Sequence, residues 1–185
     1  MTLVLASRSP RRRAILERLG VEFIVRPSDV DELAAGEPVA VARENALRKA
    51  AAAAPVPGEL VLAVDTIVAL DGQLYGKPSS PQEALRTLRA LSGRTHTVIS
   101  GLVLLEADRA PQVHSATTAV SFRELAQPML DWYVATGEWQ QRSGGYAIQQ
   151  AGGALVRGIE GDYTNVVGLP LALLLDVKPG LLSGS

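Results

Sequence analysis

Seven consecutive residues, Ser7-Arg8-Ser9-Pro10-Arg11-Arg12-Arg13, place four guanidinium groups and two hydroxyls at one point of the chain. The compact apolar run Leu3-Val4-Leu5-Ala6 precedes them and suits a buried strand. Ser9 offers an N-cap, and Pro10 suits the first position of a helix. Unpaired backbone N–H groups at such a helix start favour an anion, and arginine forks and hydroxyls add donors matched to phosphate oxygens. Arginines in a first helical turn also oppose the macrodipole, which asks for a compensating anion. A solvated basic cap is the alternative for the same residues. The chain has no Gly-x-x-x-x-Gly-Lys-Ser/Thr loop and no Gly-x-Gly-x-x-Gly after a strand, so P-loop and dinucleotide folds are poor matches.

A second feature is a carboxylate inside an apolar run, Val61-Leu62-Ala63-Val64-Asp65-Thr66-Ile67-Val68. Burying an ionised carboxylate without partners costs several kcal/mol. Asp65 must therefore reach a cleft, pair with a cation or bind a metal. Asp31-Glu32 lies in a loop, where carboxylates can reach a hard cation such as Mg²⁺. Lys77, in Tyr75-Gly76-Lys77-Pro78, follows a short strand and precedes a helix. His96 and His114 stand in separate strands without metal-site spacing and read as structural or surface residues. No serine lies in a Gly-x-Ser-x-Gly elbow.

The elements that must position these groups alternate in type. Strands are expected at residues 3–6, 22–25 and 60–70, and a long pair at 95–106 and 113–122. Asp71-Gly72 marks a hairpin turn. Helices are expected from residue 10 to Gly20 and at 39–54, 81–91, 126–136 and 169–177; between the last two, paired glycines predict tight turns and short strands. Central strands that are apolar on both faces imply an α/β class with a mixed sheet. No flexible tether divides the chain, so residues 1–185 read as a single domain.

Composition limits the partners. Hydrophobic residues make up 47% and charged residues 20%, with a net charge of −1. No global field points to nucleic acid or a membrane, so anion binding must come from local positive charge. With no cysteine, disulfides, thiolate zinc sites and a cysteine nucleophile are excluded. The apolar run at 169–177 is about half of a bilayer span, and without an export signal the expected location is cytoplasmic.

Seven segments in register resemble the Maf family of nucleotide pyrophosphatases: Leu5-Ala6-Ser7-Arg8-Ser9-Pro10-Arg11-Arg12, Asp31-Glu32, Val64-Asp65-Thr66, Gly76-Lys77-Pro78, Leu91-Ser92-Gly93-Arg94-Thr95-His96, Gly145-Tyr146-Ala147-Ile148-Gln149 and the ten residues from Gly161-Asp162-Tyr163 to Gly168-Leu169-Pro170. The resemblance implies a mixed twisted sheet with flanking helices, two lobes around a cleft, and a fold shared with inosine triphosphate pyrophosphatases. It implies hydrolysis between the α- and β-phosphates, a homodimer, and Mg²⁺ or Mn²⁺ held by Glu32 and Asp65. Asp65 matches the proton acceptor and Lys77 a phosphate-side lysine. Ser7, Ser9 and Arg12 are expected to hold phosphate, with Arg8 and Arg13 left to solvent. Arg11, Thr66 and Gln149 occupy the positions that separate substrate branches, and together they resemble the branch acting on dTTP and UTP. Where the family usually has Lys-Ala-Gly before its tyrosine this chain has Arg142-Ser143-Gly144, and where a glycine usually follows the glutamine it has Gln150. The competing expectations are a pyrophosphatase of non-canonical purine nucleotides and a septum-formation regulator without catalysis.

Overall fold

The computed structural model describes residues 1–182. The chain opens with a buried strand, β1 (Thr2–Leu5), and a helix, α1 (Pro10–Arg18), followed by a short strand, β2 (Phe23–Val25), and a second helix, α2 (Pro38–Ala52). The hairpin β3 (Glu59–Leu70) and β4 (Gln73–Tyr75) turns at Asp71-Gly72, and α3 (Pro81–Leu91) leads into the long strands β5 (Thr95–Glu106) and β6 (Gln112–Phe122). After α4 (Gln127–Ala135), 3₁₀ turns at Ser143–Gly145 and Ala151–Leu155 precede β7 (Val156–Glu160), α5 (Tyr163–Val167) and α6 (Leu171–Val177).

Proline stands in the first positions of α1, α2, α3 and α4, where its missing N–H costs no hydrogen bond. Ser9 occupies the N-cap of α1 with an extended backbone, but its hydroxyl makes no capping bond. Instead its N–H donates to Ser7 Oγ at 3.2 Å. The apolar run expected to form one helix from residue 169 is broken by Pro170, so α6 starts at Leu171.

The strands form one seven-stranded sheet in the order β2-β1-β3-β5-β6-β7, with β4 also paired to β3. The β1 pairings are parallel and all others antiparallel, so the sheet is mixed. Period-two alternation sends Leu60, Leu62 and Val64 to one face, in the cluster of Leu5, Leu16 and Leu174. It sends Val61 and Ala63 to the other face, against Ala46, Ala50 and Ala53 of the α2 region. A third cluster joins the far half of the sheet to Leu88, Leu91 and Tyr133 of α3 and α4.

One edge of β3 is incomplete. Residues Leu60 to Ala69 pair with β5 throughout. On the opposite edge β1 reaches only Leu62, and β4 begins only at Val68. Residues 63–67 therefore have a strand neighbour on one side alone, and Asp65 and Thr66 lie in that gap.

Candidate active site

The gap opens into a cleft of about 540 Å³, within the size range of small-molecule sites. Ser7, Ser9, Arg11, Arg12, Glu32, Asp65, Thr66, Lys77 and Gln149 all line it. Successive residues of a strand point to opposite faces. The missing strand neighbour lets both Asp65 and Thr66 border the same cavity.

Asp65 is buried and faces α2. Its Oδ1 accepts from Lys49 Nζ at 2.5 Å and its Oδ2 from Asn45 Nδ2 at 3.1 Å. The buried carboxylate thus meets a cation and an amide, as its desolvation requires. Lys49 also pairs with Glu32 at 2.6 Å, and Lys77 stands 3.6 Å from the second oxygen of Glu32. Burial opposes ionisation of Glu32, but the hydrogen bond and charge of Lys49, aided by Lys77, outweigh it and hold the carboxyl below its ordinary value.

Asn45 fixes the loop that carries Glu32. Its Oδ1 accepts from the Leu33 N–H at 2.7 Å and its Nδ2 donates to the Leu33 carbonyl at 3.1 Å. Neither Asn45 nor Lys49 was among the residues expected from sequence. A signal was present: both sit at helical spacing with Val41, Ala42, Ala46 and Ala50, so an otherwise apolar face carries two polar groups. Asp31 is exposed, and among the described residues only its carbonyl is engaged, by Arg48 at 3.1 Å.

On the other face, Arg12 gathers the entry loop. Its Nε donates to the Gly168 carbonyl at 2.7 Å, Nη1 to Ser7 Oγ at 3.0 Å and Nη2 to Thr66 Oγ1 at 3.1 Å. Burial lowers the Arg12 pKa, with the charges of Asp65 and Glu32 opposing that shift. Thr66 Oγ1 also lies 2.9 Å from Ser100 Oγ. Arg11 Nε donates to the Val167 carbonyl at 3.1 Å. Arg8 and Arg13 lie outside this network, in exposed pairs with Asp29 and Glu17.

The glycine-bearing turn closes the remaining side. Ser143 Oγ donates to the Thr66 carbonyl at 2.9 Å, and the Gly144 N–H donates to the Gly76 carbonyl at 3.1 Å. Gly144 has φ 70°, and a Cβ there would stand 2.8 Å from Val68 Cγ2, so the turn needs glycine. Tyr146 is buried, with its hydroxyl 2.9 Å from His96 Nε2. Gln149 stands exposed at the rim.

The sequence that builds this cleft matches a known family along nearly its whole length. The family model described as Maf-like protein covers residues 2–177. The chain belongs to the Maf family. Relatives called dTTP/UTP pyrophosphatase include one from Moorella thermoacetica, 51% identical over 91% of this chain and 89% of that protein. Another, from Pyrococcus furiosus, is 43% identical over 94% of this chain and 92% of its own length. Among solved structures, a HAM1 protein from Coxiella burnetii shares the fold, with a TM-score of 0.50 and 23% identity over 84% of this chain and 91% of that one. The mixed α/β class expected from sequence is the one observed. Among the described residues no helix is long and apolar enough to cross a membrane.

Proposed function

We propose that this member of the Maf family hydrolyses dTTP and UTP to the monophosphate and pyrophosphate. The support is twofold: the relatives of that name align over nearly all of the chain, and the cleft is equipped for the reaction. Asp65 is the observation that carries it, a buried carboxylate placed in a strand gap and surrounded by cations.

In the proposed reaction a water oxygen attacks the α-phosphorus, and the bond from that phosphorus to the α–β bridging oxygen breaks. The water proton passes to Asp65, and pyrophosphate departs with the bridging oxygen. Lys77, Arg11 and Arg12 neutralise the charge that grows on the leaving group. Ser7, Ser9 and Arg12 hold the phosphates. Ser9 Oγ is buried without a partner among the described residues, which leaves the hydroxyl for the substrate. Arg11, Thr66 and Gln149 set the base preference. Gln149 does so directly from the rim, and Thr66 through the placement of Arg12.

Glu32 and Asp65 also fit a divalent cation. Their oxygens converge on the Lys49 ammonium, at 2.6 and 2.5 Å, so a metal ion between them would take the place of that ammonium. Among the described residues no cluster of three His, Cys, Asp or Glu side chains is set to hold a metal. Two carboxylates completed by water and substrate phosphates is nonetheless a usual arrangement for Mg²⁺. When bound, Mg²⁺ or Mn²⁺ would polarise phosphate oxygens and increase the acidity of the attacking water.

The test is pyrophosphate release from dTTP, UTP, CTP, ITP and 7-methyl-GTP, with and without Mg²⁺ or Mn²⁺. Turnover confined mainly to dTTP and UTP and lost with chelator is expected. Preference for ITP would move the chain to purine nucleotides, and no pyrophosphate from any of the five would remove the enzymatic reading.

A further inference from the structure

Six cationic residues line the cleft: Arg8, Arg11, Arg12, Lys49, Lys77 and Arg142. Five of them are engaged by the protein. Arg8 pairs with Asp29, and Lys49 with Asp65 and Glu32. Arg11 and Arg12 donate to the Val167 and Gly168 carbonyls. Lys77 faces Glu32 at 3.6 Å. Among the described residues, Arg142 has neither an ion pair nor a side-chain hydrogen bond, and its Nε is buried with no acceptor.

A buried donor without an acceptor is uncommon and costly, and more so on a cation. Burial also holds the Arg142 guanidinium below its ordinary value, consistent with a charge whose lost hydration nothing in the protein replaces. The turn that follows Arg142 is nonetheless anchored. Ser143 is bonded to the open edge of β3 and Gly144 to the Gly76 carbonyl, beside Lys77. The backbone that carries Arg142 is thus anchored beside Lys77 on the cleft wall, and among the described residues no protein acceptor meets its guanidinium.

We propose that Arg142 is a further substrate-binding residue, which grips the phosphate tail of the nucleotide alongside Lys77. This rests on the triphosphate reading above. A planar fork of five donors fits phosphate oxygens bidentately, and a phosphate supplies the negative charge that Arg142 lacks. A base carbonyl would satisfy a donor but leave the charge uncompensated. The phosphate tail is common to all nucleoside triphosphates, so Arg142 contributes affinity without choosing the base.

The test compares the full-length wild type with Arg142→Met and Arg142→Lys, each checked for an unchanged thermal transition. With Arg142→Met, the KM for dTTP and UTP should rise together by about tenfold or more, the usual cost of a charge-assisted hydrogen bond. Inhibition by inorganic pyrophosphate should weaken by a similar factor, and Arg142→Lys should recover part of both. Unchanged pyrophosphate inhibition in a folded Arg142→Met protein overturns the proposal. So does a changed dTTP-to-UTP preference, which would place Arg142 on the base. Should Arg142→Met not fold, Arg142→Lys decides: a KM and a pyrophosphate inhibition equal to wild type reject the bidentate grip, and a loss in both supports it. Should the wild type release no pyrophosphate from any nucleotide, calorimetric binding of inorganic tripolyphosphate still tests Arg142. Binding that weakens in the variants supports the grip, and equal binding rejects it.

Discussion

Asp65 shares its charge environment with Lys49, Asn45 and, through Lys49, Glu32. Removing one partner of a buried pair leaves the other charge uncompensated, typically at about 3–5 kcal/mol. Asp65→Asn is milder because the amide keeps the shape and can still accept from Lys49 through its oxygen, losing only the bond from Asn45 Nδ2, which then meets a second N–H donor. Glu32 remains as a second anion for the ammonium. We therefore expect Asp65→Asn to stay folded, with an unfolding midpoint within a few degrees of wild type. Pyrophosphate release should fall by about 10²-fold or more, in the range removed with a general base. Circular dichroism with a pyrophosphate-release assay checks both halves. Turnover near wild type in a folded variant would mean that another group accepts the proton.

At the scale of elements, the position of α2 decides whether Asn45 and Lys49 can reach Asp65. Opposite Asp65 in the sheet register is Gly101 of β5. A Cβ on Gly101 would stand 2.2 Å from the Ala42 carbonyl oxygen and 2.7 Å from the Arg43 nitrogen. The absent side chain is what lets the helix lie close to the sheet. Gly101→Ala must push α2 outward, because backbone atoms cannot swing aside as a flexible side chain would. Overpacking of this kind costs about 1–3 kcal/mol, or roughly 2–12 °C in melting temperature for a chain of this size. Activity should fall alongside, since the Lys49 and Asn45 contacts shift with the helix. A thermal melt and a dTTP turnover assay on the variant test this; an unchanged melting temperature would mean that α2 accommodates the methyl group. Such dependence explains what the sequence could and could not disclose. The apolar run around Asp65, the Asp71-Gly72 turn and the long β5–β6 pair were legible because local pattern determines them. Lys49, Asn45 and Gly101 were not, because their importance arises from one helix crossing one strand at a distance that no local pattern encodes. The unused Ser9 hydroxyl has a similar origin. Local spacing marks Ser9 as a cap, but the bond that caps would make is absent, and Arg12 and Ser7 organise the loop instead.

For the molecule as a whole, pH bears on stability through His96, which lies in the core joining β5 and β6 to the glycine-bearing turn. The ring sits edge-on to Phe122 and Tyr146, and its Nε2 is 2.9 Å from the Tyr146 hydroxyl. Burial lowers its pKa from 6.5 to about 4. Between these values the unfolded chain binds a proton that the native chain refuses, so stability rises with pH across that window and is lost as pH falls through it. From pH 7 to pH 5 the loss from this one group is about 2 kcal/mol, or roughly 4–8 °C in melting temperature. Glu32, held below its ordinary value by Lys49 and Lys77, loses its contribution in the same direction but at lower pH. The two are therefore separable. Replacing His96 with asparagine removes the titrating group, and the variant's melting temperature should change much less than that of wild type between pH 7 and pH 5, although it starts lower. Equal slopes in the two proteins over that interval would assign the acid sensitivity elsewhere. Because Tyr146 leads directly into Ala147-Ile148-Gln149 on the cleft wall, protonating His96 would loosen the segment that bears Gln149. Because the native ring takes its proton only near pH 4, the KM for dTTP should stay level down to pH 5 and then rise in wild type more steeply than in His96→Asn as pH falls toward 4.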